Sequence, residues 1–223
     1  MAKKADTTDD DKPEKKTRSE PGTREKIVRT VHLRGLTDIM FDRYPGDNDT
    51  KLEPWQKLYL AGEKGRTICI PSENIMSFLS AQNTDSAPKR LLDSRKYKAF
   101  GQACGSFVMI ASPTGQRMIP LLRDGKPILF GRLDSKTPDG DPCDKVSGVY
   151  IDFHVARLEK GVPNPKHRPT LPLPWELRFA LTMLPNRHIQ EQQLMNIFTE
   201  GLLCIGLGTW RGRFGKAEVI LWE

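Results

Sequence analysis

Cysteine is scarce in this sequence, and the few cysteines present are far apart. Cys69, Cys104, Cys143 and Cys204 occur in 223 residues without any CxxC pair, which argues against a zinc knuckle and against a disulfide-stabilised scaffold. No apolar run approaches the roughly 18 residues that a membrane span needs. No apolar segment near the N-terminus resembles a secretory signal. We therefore expect reduced cysteines in a cytoplasmic protein, without a membrane partner and without a metal or other cofactor.

Hydrophobic residues are almost missing from residues 1–24, where charged residues dominate. A segment of this composition cannot bury enough apolar surface to offset the entropy lost on ordering, so we predict a disordered charged tail. Residues 25–223 are then expected to form one domain. The 37% of hydrophobic residues in the chain suffice for a core in a domain of this length.

Acidic residues are outnumbered, since 28 Asp and Glu face 35 Lys and Arg, for a formal net charge of +7. Residues 1–26 hold eight cations and seven acids, so nearly all of the excess belongs to the folded part. A basic folded domain suggests a polyanionic partner, of which nucleic acid is the commonest.

Several segments alternate apolar and polar residues with the period of two that indicates a strand with one buried face. We predict strands at 27–34, 149–158, 175–184 and 216–223. A hairpin is predicted over 57–71 with its turn at residues 62–65, and further strands are predicted within 106–130 on either side of a turn at residues 124–125. The apolar residues expected to face inward in segment 175–184 are Trp175, Leu177, Phe179, Leu181 and Met183.

Three segments have helical spacing of apolar residues. They are 72–82, with Ser72 as its cap, 86–104, ending near Gly105, and 186–203, with Asn186 as its cap. The proline-rich segment 161–174 is predicted to be an extended connection. This order of elements predicts an α+β fold: a ferredoxin-like antiparallel sheet of the RRM type with helices on one face, and an irregular, β-rich insertion at about 105–148.

The segment GLLCIGLGTWRGRFGKAEV, residues 201–219, combines glycines with cations and aromatic residues. Glycine lets the backbone approach a ligand closely, and Arg and Lys beside free N–H groups suit phosphates. We predict nucleic-acid contacts at Gly206, Gly208, Trp210, Arg211, Arg213, Phe214 and Lys216. The alternative is a helix C-cap at Gly206 or Gly208 followed by a tight turn; a P-loop is excluded because GxxxxGK[ST] is absent.

Further cations are candidate contacts to the same partner. They lie in the first strand, in the predicted basic helix and in the KHR triplet of the proline-rich segment: Arg34, Lys89, Arg90, Arg95, Lys98, Lys166 and Arg168. On a helix Arg95 and Lys98 share a face. A solvated helix face explains this cluster as well as a groove that follows a nucleic-acid strand.

Three stretches together resemble a known superfamily: VRTVHLRGLTDIMFDR at the start, IPSENIMSFL, and the late helix that leads into GLGTWRGRFGKAEV. Over roughly residues 26–223 the chain is similar to the repeat-associated mysterious protein (RAMP) superfamily, and within it to Cas7-like backbone proteins of CRISPR effectors and their stand-alone phage or prokaryotic relatives. The resemblance implies a ferredoxin-like core, binding of single-stranded RNA and head-to-tail assembly along the strand.

Some RAMP proteins are metal-independent endoribonucleases, which need a general base and a general acid. His32 and His154 lie on the polar faces of predicted strands and could meet across a sheet. The loop after the first strand carries Asp38, Asp42, Asp47 and Asp49; we interpret it as a solvated loop, because neither the order nor the terminal Glu of a Ca²⁺-binding loop is present.

The leading hypothesis is a non-enzymatic, sequence-tolerant protein that binds single-stranded nucleic acid, either RNA, which we favour, or DNA. It would assemble with copies of itself along the strand, in a CRISPR-like or phage ribonucleoprotein of antiviral defence. One alternative is a RAMP-type endoribonuclease. Another is a viral structural or assembly protein whose basic surface serves contacts between subunits.

Overall fold

The computed structural model describes residues 25–47, 49–62, 64–82, 85–157 and 163–223. The predicted tail at 1–24 lies outside the described residues. Four α-helices occur in these ranges, α1 (Ser72–Leu79), α2 (Ala87–Leu91), α3 (Ser94–Phe107) and α4 (Glu191–Cys204). In chain order the strands are β1 (Ile27–Gly35), β2 (Ile39–Met40), β3 (Leu60–Ala61), β4 (Thr67–Pro71), β5 (Val108–Ala111), β6 (Met118–Arg123), β7 (Lys126–Pro127), β8 (Ser135–Lys136), β9 (Pro142–Cys143), β10 (Tyr150–Arg157), β11 (Pro163–Leu171), β12 (Glu176–Met183) and β13 (Ala217–Trp222).

The larger sheet is antiparallel, and its strands follow the order β13-β1-β12-β6-β4-β3, with β5 added to β12 and β7 added to β6. One face is buried beneath the helices, where Phe198 of α4 packs on Phe179 of β12 at 5.9 Å between ring centroids. All five inward residues predicted for segment 175–184 are at most 1% exposed. The predicted α+β class with antiparallel sheets is therefore confirmed.

The smaller sheet has the order β2-β11-β10-β9-β8, and it contains the proline-rich segment. We expected an extended connection there, but β11 pairs with β10 over its whole length, from Tyr150 opposite Thr170 to Arg157 opposite Pro163. The prolines at 163, 165 and 169 are separated by even numbers of residues. Alternate residues of a strand direct their N–H groups to the same edge, so the donors that these prolines lack would all lie on the edge away from β10. The hydrogen bonds to β10 use the backbone groups of the residues in between, so the strand forms despite the prolines.

The helix boundaries differ from the predicted ones where a cap was misassigned. Pro71 is the N-cap of α1, and Ser72 is its first residue. The basic segment forms two helices, because Asp93 caps α3 by accepting a hydrogen bond from the Lys96 amide, and α3 then continues through Gly105. Asn186 forms a turn before α4, whereas Gln190 is the N-cap.

The remaining predicted elements agree with the structure in most respects. The hairpin turn at residues 62–65 is closed by a hydrogen bond from the Gly65 amide to the Gly62 carbonyl at 2.9 Å, and β6 and β7 flank the turn at residues 124–125. The predicted insertion at 105–148 contributes β5 to β7 to the larger sheet and β8 and β9 to the smaller one. All four cysteines are free. Among the described residues, none of the helices has the length and hydrophobicity needed to cross a bilayer.

Candidate nucleic-acid interface

Residues 205–216, named here the glycine loop, fold back on themselves so closely that two glycines face backbone. The Leu207 amide donates to the Gly215 carbonyl at 2.9 Å, and the Gly215 amide donates to the Asp38 carbonyl at 2.7 Å. A Cβ on Gly206 would lie 1.9 Å from the Phe214 carbonyl oxygen, and one on Gly215 would lie 2.0 Å from that of Leu207. The C-cap of α4 is Ile205, so these glycines serve chain packing rather than a helix cap.

Gly208 fixes the loop to α1 and β2. Its φ of +79° is in the left-handed region, and a Cβ there would lie 2.3 Å from the Met40 carbonyl oxygen. The side-chain amide of Asn74 bonds both the N–H and the carbonyl of Gly208, at 2.8 and 3.2 Å. The Gly206 amide likewise donates to the Arg211 carbonyl at 2.7 Å. Both glycine amides predicted to hold a phosphate therefore have partners inside the protein.

Arg211 points into the protein, toward the C-terminal half of α1. Its guanidinium donates to the Ser77 hydroxyl, to the carbonyls of Asn74 and Gly208 at 3.3 Å each, and to that of Asp85 at 3.4 Å. Burial lowers the pKa of this guanidinium from its usual value, whereas the nearby Asp85 carboxylate opposes that shift. The geometry gives Arg211 a structural task, since its donors are directed at protein acceptors.

Trp210 has a backbone conformation that is rare for a bulky side chain, with φ of +52°. Its partly exposed ring meets the edge of His154 at 4.4 Å between centroids and lies 6.5 Å from Phe214. The guanidinium carbon of Arg168 is 5.7 Å from the Trp210 ring centroid, within the range of a cation–π contact. The structure thus brings together Trp210, Phe214 and Arg168 from the predicted set and adds His154.

Arg213 and Lys216 follow Trp210 on the same loop and differ from Arg211 in their surroundings. Arg213 is exposed and Lys216 is partly exposed. Over the part of the chain that the structure describes, neither has an ion pair within 4.0 Å. Their positive charges therefore remain available to a ligand.

Arg168 is held in place by an acid that sequence reasoning assigned to a solvated loop. Its Nε donates to Asp42 Oδ2 at 2.8 Å, and Lys57 Nζ lies 3.8 Å from Asp42 Oδ1. Asp38 also has partners, because Tyr150 donates to its carboxylate at 3.0 Å and the Leu173 amide donates at 3.2 Å. The loop is therefore a bonded part of the structure, and the expectation of a solvated loop was wrong for these two acids.

Five other predicted cations lie on β1, α2 and α3. Arg34 forms an exposed ion pair with Glu218 on the neighbouring strand, Arg90 pairs with Asp85, and Lys89 lies 5.8 Å from the Tyr97 ring centroid. Arg95 and Lys98 are exposed on α3. Their contribution to binding stays a prediction.

The two histidines considered for catalysis belong to different sheets. His32 Nε2 lies 2.9 Å from Glu176 on the larger sheet, and His154 Nδ1 bonds Asp152 on the smaller sheet. They therefore do not face each other across one sheet, as we had expected they could. Within the described ranges, no group of three His, Cys, Asp or Glu side chains could hold a metal ion.

Comparison with known proteins gives little further information. No protein-family model matches the sequence, and no curated protein matches it. Among solved structures, the chain is similar to one in the "Cryo-EM structure of the Type III-B Cmr-beta bound to cognate target RNA", with 11% identity and a TM-score of 0.48. The match covers 89% of this chain and 60% of that chain, so this chain spans less than two thirds of that neighbour. A similarity of this size assigns neither family nor function.

Proposed function

We propose that this protein binds single-stranded nucleic acid, RNA or DNA with RNA as the favoured partner, without strong sequence preference and without catalysing a reaction. The observation that carries the proposal is Trp210, a partly exposed tryptophan held at a left-handed φ on a loop that also presents the exposed cation Arg213. A bulky residue with a left-handed backbone conformation costs of order 1–3 kcal/mol of stability. Such a conformation persists where the surrounding structure enforces it, often at ligand sites.

The chemistry of this surface suits a single strand. An aromatic ring stacks on any base, because every base has a π-face, and such stacking contributes about 1–3 kcal/mol per base. Phosphates need cations nearby, which Arg168, Arg213 and Lys216 supply. The proposed surface therefore consists of Trp210, Phe214, Arg168, Arg213 and Lys216. Gly206, Gly208 and Arg211 support it from inside the protein.

The order of strands supports a ferredoxin-like core as part of this proposal. β1 and β12 are neighbours at the centre of the larger sheet, flanked by β13 and β6. The chain passes through α1 to α3 between β1 and β6, and through α4 between β12 and β13. Two β-α-β units thus interleave in one antiparallel sheet. Together with the sequence resemblance, this order supports membership of the RAMP superfamily with a Cas7-like role in a CRISPR-like or phage ribonucleoprotein.

A Trp210→Ala variant tests the proposal directly. We expect binding of a fluorescent oligouridylate to weaken by about 1–3 kcal/mol because a stacked base is lost, while a Trp210→Phe variant retains most of the affinity. Fluorescence anisotropy measures the affinity, and thermal melting monitors the fold. A Trp210→Ala variant that melts near the wild-type temperature and binds RNA as tightly as the wild type would contradict the proposal.

Assembly along the strand is the second part of the proposal. It rests on the sequence resemblance, and it requires a repeating heterologous contact between protomers rather than a closed two-fold dimer. We expect light scattering to show particles whose mass grows when single-stranded RNA of increasing length is added. A strict monomer both without RNA and on a long strand would exclude this assembly.

A further inference from the structure

Two clefts share Arg43 and Tyr44 as a common wall. The first has a volume of about 650 Å³ and contains Lys51, Lys57 and Lys166; it is named here the lysine cleft. The second has a volume of about 610 Å³, and its lining includes Tyr59, Leu60, Met118 and Asn74; it is named here the tyrosine cleft.

The lysine cleft has more cations than carboxylates. Together with Arg43 its lysines supply four positive groups, against the two acids Asp42 and Asp47. Asp42 already accepts a hydrogen bond from Arg168. Asp47 already accepts bonds from the amides of Asp49 and Thr50. The positive charge in this cleft is therefore only partly compensated.

Lys57 lies largely enclosed in this cleft. Its side chain is 17% exposed, and its Nζ donates to the His167 carbonyl at 2.9 Å. Burial lowers the pKa of Lys57; Asp42 opposes the shift, whereas Arg168 and Lys166 add to it. A phosphate in the cleft would supply the negative charge that one carboxylate shared between two cations does not.

The tyrosine cleft offers a different kind of surface. Tyr44 is 61% exposed on the wall between the two clefts. Partly buried Tyr59, Leu60 and Met118 supply the apolar part of the lining, beside the charged side chains of Arg43, Glu73 and Arg117. The Asn74 side chain is already bonded to Gly208. A flat group such as a nucleobase can stack on the aromatic and apolar part of this lining. Because the Asn74 side chain is already bonded within the protein, it does not distinguish one base from another.

Both clefts are tied to the Trp210 surface by hydrogen bonds. Arg168, which lies over the Trp210 ring, bonds Asp42 in the lining of the lysine cleft. Asn74, in the lining of the tyrosine cleft, bonds Gly208 two residues before Trp210. These bonds connect the site of a strand stacked on Trp210 to the lysine cleft and to the tyrosine cleft.

We propose that the lysine cleft holds a backbone phosphate of the bound strand and that Tyr44 stacks on a base, so the nucleic-acid site extends from Trp210 across both clefts. This inference rests on the proposed function, and it assigns the strand a path over residues that the sequence did not single out. Lys166, predicted from the sequence, becomes a phosphate contact within the lysine cleft.

The test is a pair of variants outside the Trp210 surface, Lys51→Gln/Lys166→Gln and Tyr44→Leu. Binding of an oligouridylate of about 12 nucleotides is measured by anisotropy at several salt concentrations. We expect the double variant to make the dependence of log K on log salt shallower by about 0.7, because the one phosphate contact of the lysine cleft is lost. We expect Tyr44→Leu to weaken binding roughly fivefold to a hundredfold through lost stacking.

The control is Lys126→Gln/Lys136→Gln, which removes the same charge from exposed positions on β7 and β8; its salt dependence should equal that of the wild type. Two results would overturn the inference, provided that the wild type binds and that Trp210→Ala weakens binding. In the first, the cleft variants have native melting temperatures and bind like the wild type. In the second, the double variant has the same salt dependence as its control. A wild-type protein that binds no single strand overturns the proposed function itself, and this inference with it.

Discussion

Replacing Gly206 by alanine is expected to destabilise the protein by about 3 kcal/mol or more. The new methyl group would lie 1.9 Å from the Phe214 carbonyl oxygen and 2.4 Å from the Gly215 carbonyl carbon. These neighbours are backbone atoms, which cannot move aside as a flexible side chain can, so the loop must open to accept the methyl group. Such overpacking costs 1–3 kcal/mol in ordinary cores and more where backbone is in the way. Urea unfolding followed by circular dichroism measures the loss.

Gly212→Ala is the matched control from the same loop. A Cβ at this position has no neighbour within 4 Å, and φ is not in the left-handed region. We expect its free energy of unfolding to lie within about 0.5 kcal/mol of the wild type. Equal stabilities for the two alanine variants would show that the glycine loop does not pack as described.

Arg211→Ala is expected to cost about 2–4 kcal/mol of stability. The change removes a guanidinium that donates to Ser77, Asn74, Gly208 and Asp85, so these acceptors lose their hydrogen bonds to a charged donor. Because these donors face the protein, we expect the variant to bind RNA with an unchanged salt dependence at a temperature where it stays folded. Chemical denaturation and salt-dependent anisotropy measure the two quantities.

Arg213→Ala provides the comparison, since it removes the same side chain two residues later from an exposed position. Its stability should be close to that of the wild type, and its salt dependence should be shallower by about 0.7. The two variants therefore separate a structural arginine from a binding one. A reversed pattern, with Arg213 needed for stability and Arg211 for the salt dependence, would refute the assignment.

The strands that could be predicted from the sequence are those in which buried and exposed residues alternate in the same way as apolar and polar residues. In β12 every second residue from Leu177 to Met183 is buried, so the alternation of side chains reports the sheet face directly. β11 was not predicted as a strand because proline is normally excluded from a paired strand. Whether these prolines prevent pairing depends on which edge of the strand lacks their N–H groups. That edge is defined by the partner strand, which cannot be identified from the sequence alone.

The site was predicted in part for a similar reason. Composition indicated that the glycine loop is unusual, but Arg211 and Arg213 are chemically identical and only two residues apart. What separates them is Ser77, 134 residues earlier in the chain, whose hydroxyl accepts from Arg211. A contact between residues so far apart in the chain leaves no recognisable pattern in the sequence around either residue. The alternation in β10 placed His154 on a polar face, and only the pairing of sheets and loop brings it to Trp210.

The outer edge of β11 has a consequence for self-association. Along this edge the prolines at 163, 165 and 169 offer no N–H, and the short β2 is paired there through residues 170 and 171. An unpaired strand edge normally recruits further strands and leads to aggregation or amyloid growth, and proline is one of the devices that prevent it. In the proposed assembly along a nucleic acid, these prolines would therefore hinder protomers from merging into a continuous sheet through this edge.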